Sequence, residues 1–233
     1  MWPTLTLGFV TLVAAFAGCH CLLENRLVAD LMKEYNKNVI PTTEDEPVIT
    51  VEHSISVVKL LKFDHDELRL GTWIAMLWTD KRLKWDPSHY NNITQTHILH
   101  EQLWIPDIVT YTFDLPDNKP MMDNLRVVIN NNGLVTYVPP TVTNFGCKVA
   151  EGAEEIYTCQ VKLGSWVYSG EKMDISNSGG VMDLGDMIID EDWEITNTAA
   201  VHQNSRYDCC VELFPNLVYT VELRPKHHRH HCK

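Results

Sequence analysis

The sequence is short of basic side chains. Lys and Arg together number 19 against 31 Asp and Glu, for a formal net charge of −12 over 233 residues. Nucleic acid is therefore not an expected partner, because a phosphate backbone requires clustered cations on the protein. An acidic surface suits a cationic ligand, and it also serves plain solubility. The sequence also lacks a G-x-S-x-G elbow, an H-E-x-x-H helix and any C-x-x-C pair. Those absences remove the usual signatures of a serine hydrolase, a zinc protease and a structural zinc site. No other nucleophile–base arrangement stands out, so neither catalysis nor a cofactor is expected. After Cys21 there is no apolar run long enough to cross a bilayer, and no membrane insertion is expected. No internal repeat and no second-domain linker is found.

What is present describes a packed extracellular domain. The chain is 45% hydrophobic and 21% charged, a balance that supports a core and argues against global disorder. Residues 2–17 are apolar, uncharged and end in Ala15-Phe16-Ala17, a small-x-small pattern. Residues 1–17 therefore read as a secretory signal peptide, which places the mature chain in an oxidising compartment. Asn92-Ile93-Thr94 is the one N-glycosylation sequon, with Asn92 as acceptor.

Leu23, Leu27, Leu31 and Met32 recur at helical spacing, which predicts one short amphipathic helix within residues 22–35. Residues 36–47 form a polar linker with two prolines. Beyond it the helical period gives way to short apolar or alternating runs at 48–51, 54–60, 72–78, 126–129, 135–138, 158–163 and 218–223. Asn130-Asn131-Asn132-Gly133 between two of these reads as a hairpin turn, since Asn and Gly tolerate positive φ. Many short strands with turns between them predict an all-β antiparallel sandwich or barrel over residues 18–225. Residues 226–233 form a basic, His-rich tail, expected to be disordered. Its His227, His228, His230 and His231 are not taken as a metal site.

Seven cysteines occur: Cys19, Cys21, Cys147, Cys159, Cys209, Cys210 and Cys232. A disulfide between Cys147 and Cys159 would close a short loop and contribute roughly 3 kcal/mol through the unfolded state. Cys209 and Cys210 are neighbours. Adjacent Cα atoms lie about 3.8 Å apart, closer than ordinary disulfides prefer. The two are either unpaired thiols or a bridge that forms a stiff, kinked tip, and an oxidising compartment favours the bridge. The remaining three cysteines leave an odd thiol whose pairing the sequence leaves open.

Four segments occur in a telling order. They are the W-x-D-x-x-L-x-W string from Trp78 through Asp80 to Trp85, then Trp104-Ile105-Pro106-Asp107 leading to Tyr111, then Lys162-Leu163-Gly164-Ser165-Trp166, and finally Tyr207-Asp208-Cys209-Cys210. Each alone is weak. Together they resemble the extracellular domain of the Cys-loop receptors, and the Y-x-C-C tip narrows the resemblance to the nicotinic branch. It spans about residues 22 to 225. It implies an Ig-like antiparallel β-sandwich of about ten strands with a short N-terminal helix, assembled as a pentamer.

The resemblance further implies a two-sided pocket at subunit interfaces. Tyr111, Trp166, Tyr207, Cys209, Cys210 and Phe214 match the principal face. Trp78, Val128, Thr136 and Val138 match the complementary face of the neighbouring subunit. Both halves occur in one chain, so a homopentamer suffices. The implied ligands are acetylcholine and related cationic nicotinic compounds. A quaternary ammonium has no N–H to donate but is attracted to aromatic faces, which such a box supplies. Trp85, Trp104 and Pro106 fall at positions that support the sandwich.

The sequence departs from the family pattern at several places. Phe214 stands where a Tyr is usual, and Thr112 follows Tyr111 where Asn is common. Asn216 stands where receptor subunits often carry an Asp linked to a Lys (here Lys162) and to the loop tyrosine (here Tyr207). The loop between Cys147 and Cys159 is polar and acidic, without the Phe-Pro-Phe-Asp motif that meets a membrane domain in receptors. With the sequence ending at Lys233, these features predict a secreted, soluble binding protein similar to the acetylcholine-binding proteins. The alternative is a channel-less receptor-type subunit that needs a different partner.

Overall fold

From Ile49 onward buried and outward-facing residues alternate almost without interruption, as a period-two chain must when one face is covered. In the computed structural model, which describes residues 22–111, 122–149 and 156–226, this pattern folds as eleven strands. In chain order they are β1 (Ile49–Asp64), β2 (Glu67–Thr79), β3 (Gln95–Leu99), β4 (Ile108–Thr110), β5 (Arg126–Asn130), β6 (Leu134–Tyr137), β7 (Pro140–Val149), β8 (Tyr157–Ser165), β9 (Met173–Ser176), β10 (Trp193–Arg206) and β11 (Leu213–Pro225). One helix, α1, covers residues 22–32. The architecture is a mostly antiparallel β-sandwich with an N-terminal helix.

The described chain divides into two compact units. The larger holds residues 42–78, 105–111, 122–125, 136–149 and 156–226. Within it β1 and β2 pair antiparallel, β2 pairs β7, β7 pairs β8, β8 pairs β11 and β11 pairs β10, while β9 runs parallel to the start of β1. Ile55, Val57, Leu68, Leu70, Phe145, Val161, Ile175, Leu217, Tyr219 and Val221 are buried together in its core. Each such side chain contributes about 1.5–3 kcal/mol on leaving water. Cys147 and Cys159 face each other across β7 and β8 and are joined by a disulfide, with Cα atoms 3.9 Å apart. The two apolar runs expected at 48–51 and 54–60 belong to one long strand, β1, which accommodates register shifts between Val57 and Lys59 and between Leu60 and Lys62.

A buried histidine sits within this core. His53 is 1% exposed, and its Nδ1 lies 2.9 Å from the Tyr219 hydroxyl. That hydroxyl donates to the His53 carbonyl at 2.8 Å, and Asn177 Nδ2 donates to both the carbonyl and the hydroxyl. Burial lowers the His53 pKa to about 4, and the nearby Glu52 carboxylate offsets this only in part.

The smaller unit holds residues 22–41, 79–104 and 126–135. The helix ends at residue 32, short of the expected 35. Tyr35 is held by its hydroxyl instead, which donates to Asp80 Oδ2 at 2.8 Å and accepts from the Trp104 N–H at 3.1 Å. Asp80 caps the 3-10 turn Lys81–Leu83 and is fully buried against Arg82, whose NH2 reaches Oδ2 at 2.7 Å. β3 pairs β5 antiparallel. The predicted turn at 130–133 forms, with the Gly133 N–H donating to the Asn130 carbonyl at 2.8 Å. Gly133 has φ +84°, and a Cβ there would approach the Asp80 carbonyl oxygen to 2.6 Å, so glycine is required twice over.

Candidate functional site

The end of β8 is pinned before it turns. β4 pairs with it through Ile108 opposite Ser165 and Thr110 opposite Leu163, which carries Tyr111 alongside. The Tyr111 N–H donates to the Lys162 carbonyl at 2.8 Å, and its hydroxyl donates to the Ser165 carbonyl at 2.9 Å. Asp107 fixes the turn that follows. It accepts from Ser165 Oγ at 2.7 Å and from the Val167 N–H at 2.8 Å, while Ser165 Oγ accepts from the Tyr168 N–H at 2.7 Å. A Cβ at Gly164 would meet the Tyr111 hydroxyl at 2.6 Å and the Pro215 carbonyl oxygen at 2.8 Å. The approach of these strands therefore requires glycine at that position.

The second wall is the tip of the β10–β11 hairpin. Arg206 and Leu213 form its last backbone pair. Tyr207, just past that pair, and Phe214, opposite Ser205 within the ladder, meet edge-on with ring centres 5.7 Å apart. Cys209 and Cys210 are joined by a disulfide, and the Cys210 N–H donates to the Tyr207 carbonyl at 3.0 Å. Between the two walls lies a cavity of about 550 Å³ lined by Tyr111, Ser165, Trp166, Val167, Tyr207, Cys209, Cys210 and Phe214. That volume falls in the range of small-molecule sites. Trp166 is 58% exposed and Val167 68%, large apolar surfaces that a lone soluble domain rarely leaves open side by side. Burial, and then the neighbouring Tyr207 and Asp107, push the Tyr111 hydroxyl up to about 12, so it remains a protonated donor at neutral pH. Among the described residues the cavity lining thus offers aromatic faces and no ionised side chain.

All six residues expected on the principal face line this one cavity. The four expected on the complementary face do not line it and divide among themselves. Val138 is 44% exposed, and Val128 and Thr136 are partly exposed on β5 and β6. Trp78 is a correction, for it is 2% exposed and has no face to present to a neighbouring subunit. The outward indole of β2 is Trp73, which is 41% exposed. Five residues apart on a strand means opposite faces, so the alternation that buries Trp78 is what exposes Trp73. Asp107, Ser165 and Gly164 were also missed as determinants of the site, although all three lie inside the quoted motifs. Their roles depend on which backbone groups the turn brings near, and no spacing rule reveals that.

Trp85 and Trp104 are structural as expected: Trp85 Nε1 donates to the Ile93 carbonyl at 2.7 Å, and Trp104 is buried. Asn92 is exposed in a left-handed conformation, φ 61°, after Asn91 at φ 52°. The signal peptide, Cys19, Cys21, Thr112, residues 150–155 of the loop between Cys147 and Cys159, Cys232 and the tail histidines lie outside the described residues. Lys226, placed by sequence in the tail, has its backbone N–H bonded to the Asp192 carbonyl and its Nζ to the Asp190 carbonyl. Among the described residues no helix is long and apolar enough to cross a membrane.

The chain is similar to known proteins. The family described as the neurotransmitter-gated ion-channel ligand binding domain matches residues 24–227. The neuronal acetylcholine receptor subunit alpha-2 of Homo sapiens is 29% identical over 211 residues, 89% of this chain and 40% of that protein. The alpha-2 subunit of Gallus gallus is 30% identical over 229 residues, 95% of this chain and 43% of its own length. The chain thus spans about two fifths of the length of these curated relatives. Among solved structures, Capitella teleta AChBP in complex with lobeline superposes with a TM-score of 0.78 at 24% identity, covering 88% of this chain and 99% of that one. Its likeness bears on the fold, and the match over residues 24–227 bears on the lineage: the chain belongs to the neurotransmitter-gated ion-channel ligand-binding domain family.

Proposed function

We propose that the protein is a secreted, extracellular binding protein for acetylcholine and related cationic amines, held by cation–π contacts at the interfaces of a homopentamer. The observation that carries this reading is the cavity in which Tyr111, Trp166, Tyr207 and Phe214 stand around the Cys209–Cys210 tip with Trp166 open to solvent. A quaternary ammonium finds there the faces it prefers, Trp above all. The open side needs a second wall, and a copy of the same chain carries one. Trp73 is its aromatic member, and Val138, Thr136 and Val128 are assigned the same role. The binding domain covers residues 18–225 after a leader at 1–17, Asn92 carries a glycan, and the protein binds without catalysing a reaction.

A second reading is a receptor-type subunit that needs a different partner; the matched alpha-2 subunits, of which this chain spans only part, favour it. The mass of the purified protein in solution by light scattering, with and without acetylcholine, separates the two. A species about five times the chain mass that binds acetylcholine supports the first reading. A monomer that binds nothing until a second subunit type is added supports the other.

A further inference from the structure

Lys162 lies behind the cavity wall. Its Nζ is 5.6 Å from the ring centre of Tyr111 and 5.9 Å from that of Tyr207, two of the rings that line the cavity. Among the described residues its hydrogen-bond acceptor is Ser205 Oγ, at 2.6 Å. Asn216 Nδ2 donates to that same oxygen at 3.0 Å and to the Phe214 carbonyl at 3.0 Å. Asn216 is fully buried, and its Oδ1 has no hydrogen-bond partner. Among the described residues Lys162 forms no ion pair. The ammonium and the buried amide therefore share one neutral hydroxyl, and among the described residues no carboxylate pairs with the ammonium.

Two consequences follow for a ligand. A tyrosine ring with an ammonium already against it has part of its attraction for cations engaged. A positive charge held a few ångströms behind an apolar wall is also poorly screened, so it repels a second cation inside. An anionic group on the ligand reverses the second effect. We infer that Lys162, held by the Ser205 hydroxyl and by no carboxylate among the described residues, is a specificity-determining residue. It turns the cavity toward zwitterionic ammonium compounds of the betaine class and away from simple tetraalkylammonium cations. This rests on the cation cavity proposed above. Lys162 acts through the rings and its field, not by touching the ligand.

The test is calorimetric titration of the intact protein with tetramethylammonium and with glycine betaine. It compares wild type with Lys162→Gln, Asn216→Asp and Lys162→Arg. Wild type and Lys162→Arg should favour betaine to the same degree. Lys162→Gln and Asn216→Asp should each move the affinity ratio toward tetramethylammonium by about tenfold, and added salt should compress the ratio only where the charge is uncompensated. Binding of tetramethylammonium gained only in those two variants also supports the inference. A ratio unchanged across all four proteins overturns it and leaves the cation cavity standing. A shift in Lys162→Arg equal to that in Lys162→Gln overturns it too, since shape and not charge would then decide. If all four fold by circular dichroism and none binds either compound, the cavity reading itself falls and takes this inference with it.

Discussion

Among the described residues a cation lies against tyrosine at three places, Arg26 on Tyr90, Arg82 on Tyr35 and Lys162 on Tyr111 and Tyr207, and the last two arrangements differ in one respect. In the smaller unit the Arg82 guanidinium lies 4.4 Å from the Tyr35 ring centre, and the fully buried Asp80 accepts from its Nε and NH2. In the larger unit Lys162 lies against Tyr111 and Tyr207 with only the hydroxyl of Ser205 as acceptor. The first is closed: charge, counter-charge and ring satisfy one another, and Arg82 spends its remaining donors on the Asn36 and Val39 carbonyls and the Tyr35 hydroxyl. The second is open, and its rings face a cavity. A neutralised cation on an aromatic ring holds a fold together. An uncompensated one beside an apolar cavity projects its field to whatever enters.

That contrast can be broken most severely at Asp80. Asp80→Asn keeps the volume and removes the counter-charge, leaving Arg82 partly buried and unpaired. The expected loss is roughly 4 kcal/mol in chemical unfolding; a loss under about 1 kcal/mol would mean that the carbonyls alone hold the guanidinium. A third solution to a buried base is His53, kept neutral with no counter-ion. Its folded pKa, about 4, lies below the ordinary histidine value of about 6.5. The unfolded chain therefore binds a proton first as pH falls, and stability that is complete above about pH 6.5 is lost progressively down to about pH 4. The difference is worth roughly 3 kcal/mol. His53→Gln, which cannot titrate, should flatten that part of the stability–pH curve. The smallest effect is expected at the open arrangement: Lys162→Gln should change unfolding stability by less than about 1 kcal/mol, because its charge is not part of a closed network. A loss as large as that of Asp80→Asn would erase the distinction.

Much of the sandwich was legible because burial on one face forces alternation. Strands containing runs such as 158–163 and 218–223 follow from that rule, and the structure extends them to Tyr157–Ser165 and Leu213–Pro225. β3, β4, β7, β9 and β10 were not read. β10 illustrates why: much of its length is exposed, so no apolar period marks it, and its place is fixed by pairing with β11 along its whole length. In the cavity, the aromatic and cysteine residues were legible because they sit in short motifs. What holds them was not, since Asp107 and Ser165 act on backbone groups that only the folded turn brings close. Trp78 failed for a different reason. The W-x-D string drew attention to the wrong indole, when strand parity already placed Trp73 and Trp78 on opposite faces.

The central claim is that the cavity holds a positive charge by its aromatic faces, and one titration tests it most directly. Acetylcholine and its uncharged isostere, 3,3-dimethylbutyl acetate, have nearly the same shape and differ by carbon in place of nitrogen. Titrated into the wild-type protein, acetylcholine should bind more tightly by about 2 kcal/mol, and Trp166→Ala should remove most of that difference while the protein stays folded. Equal affinity for the two compounds, or a difference that survives Trp166→Ala intact, would contradict the account.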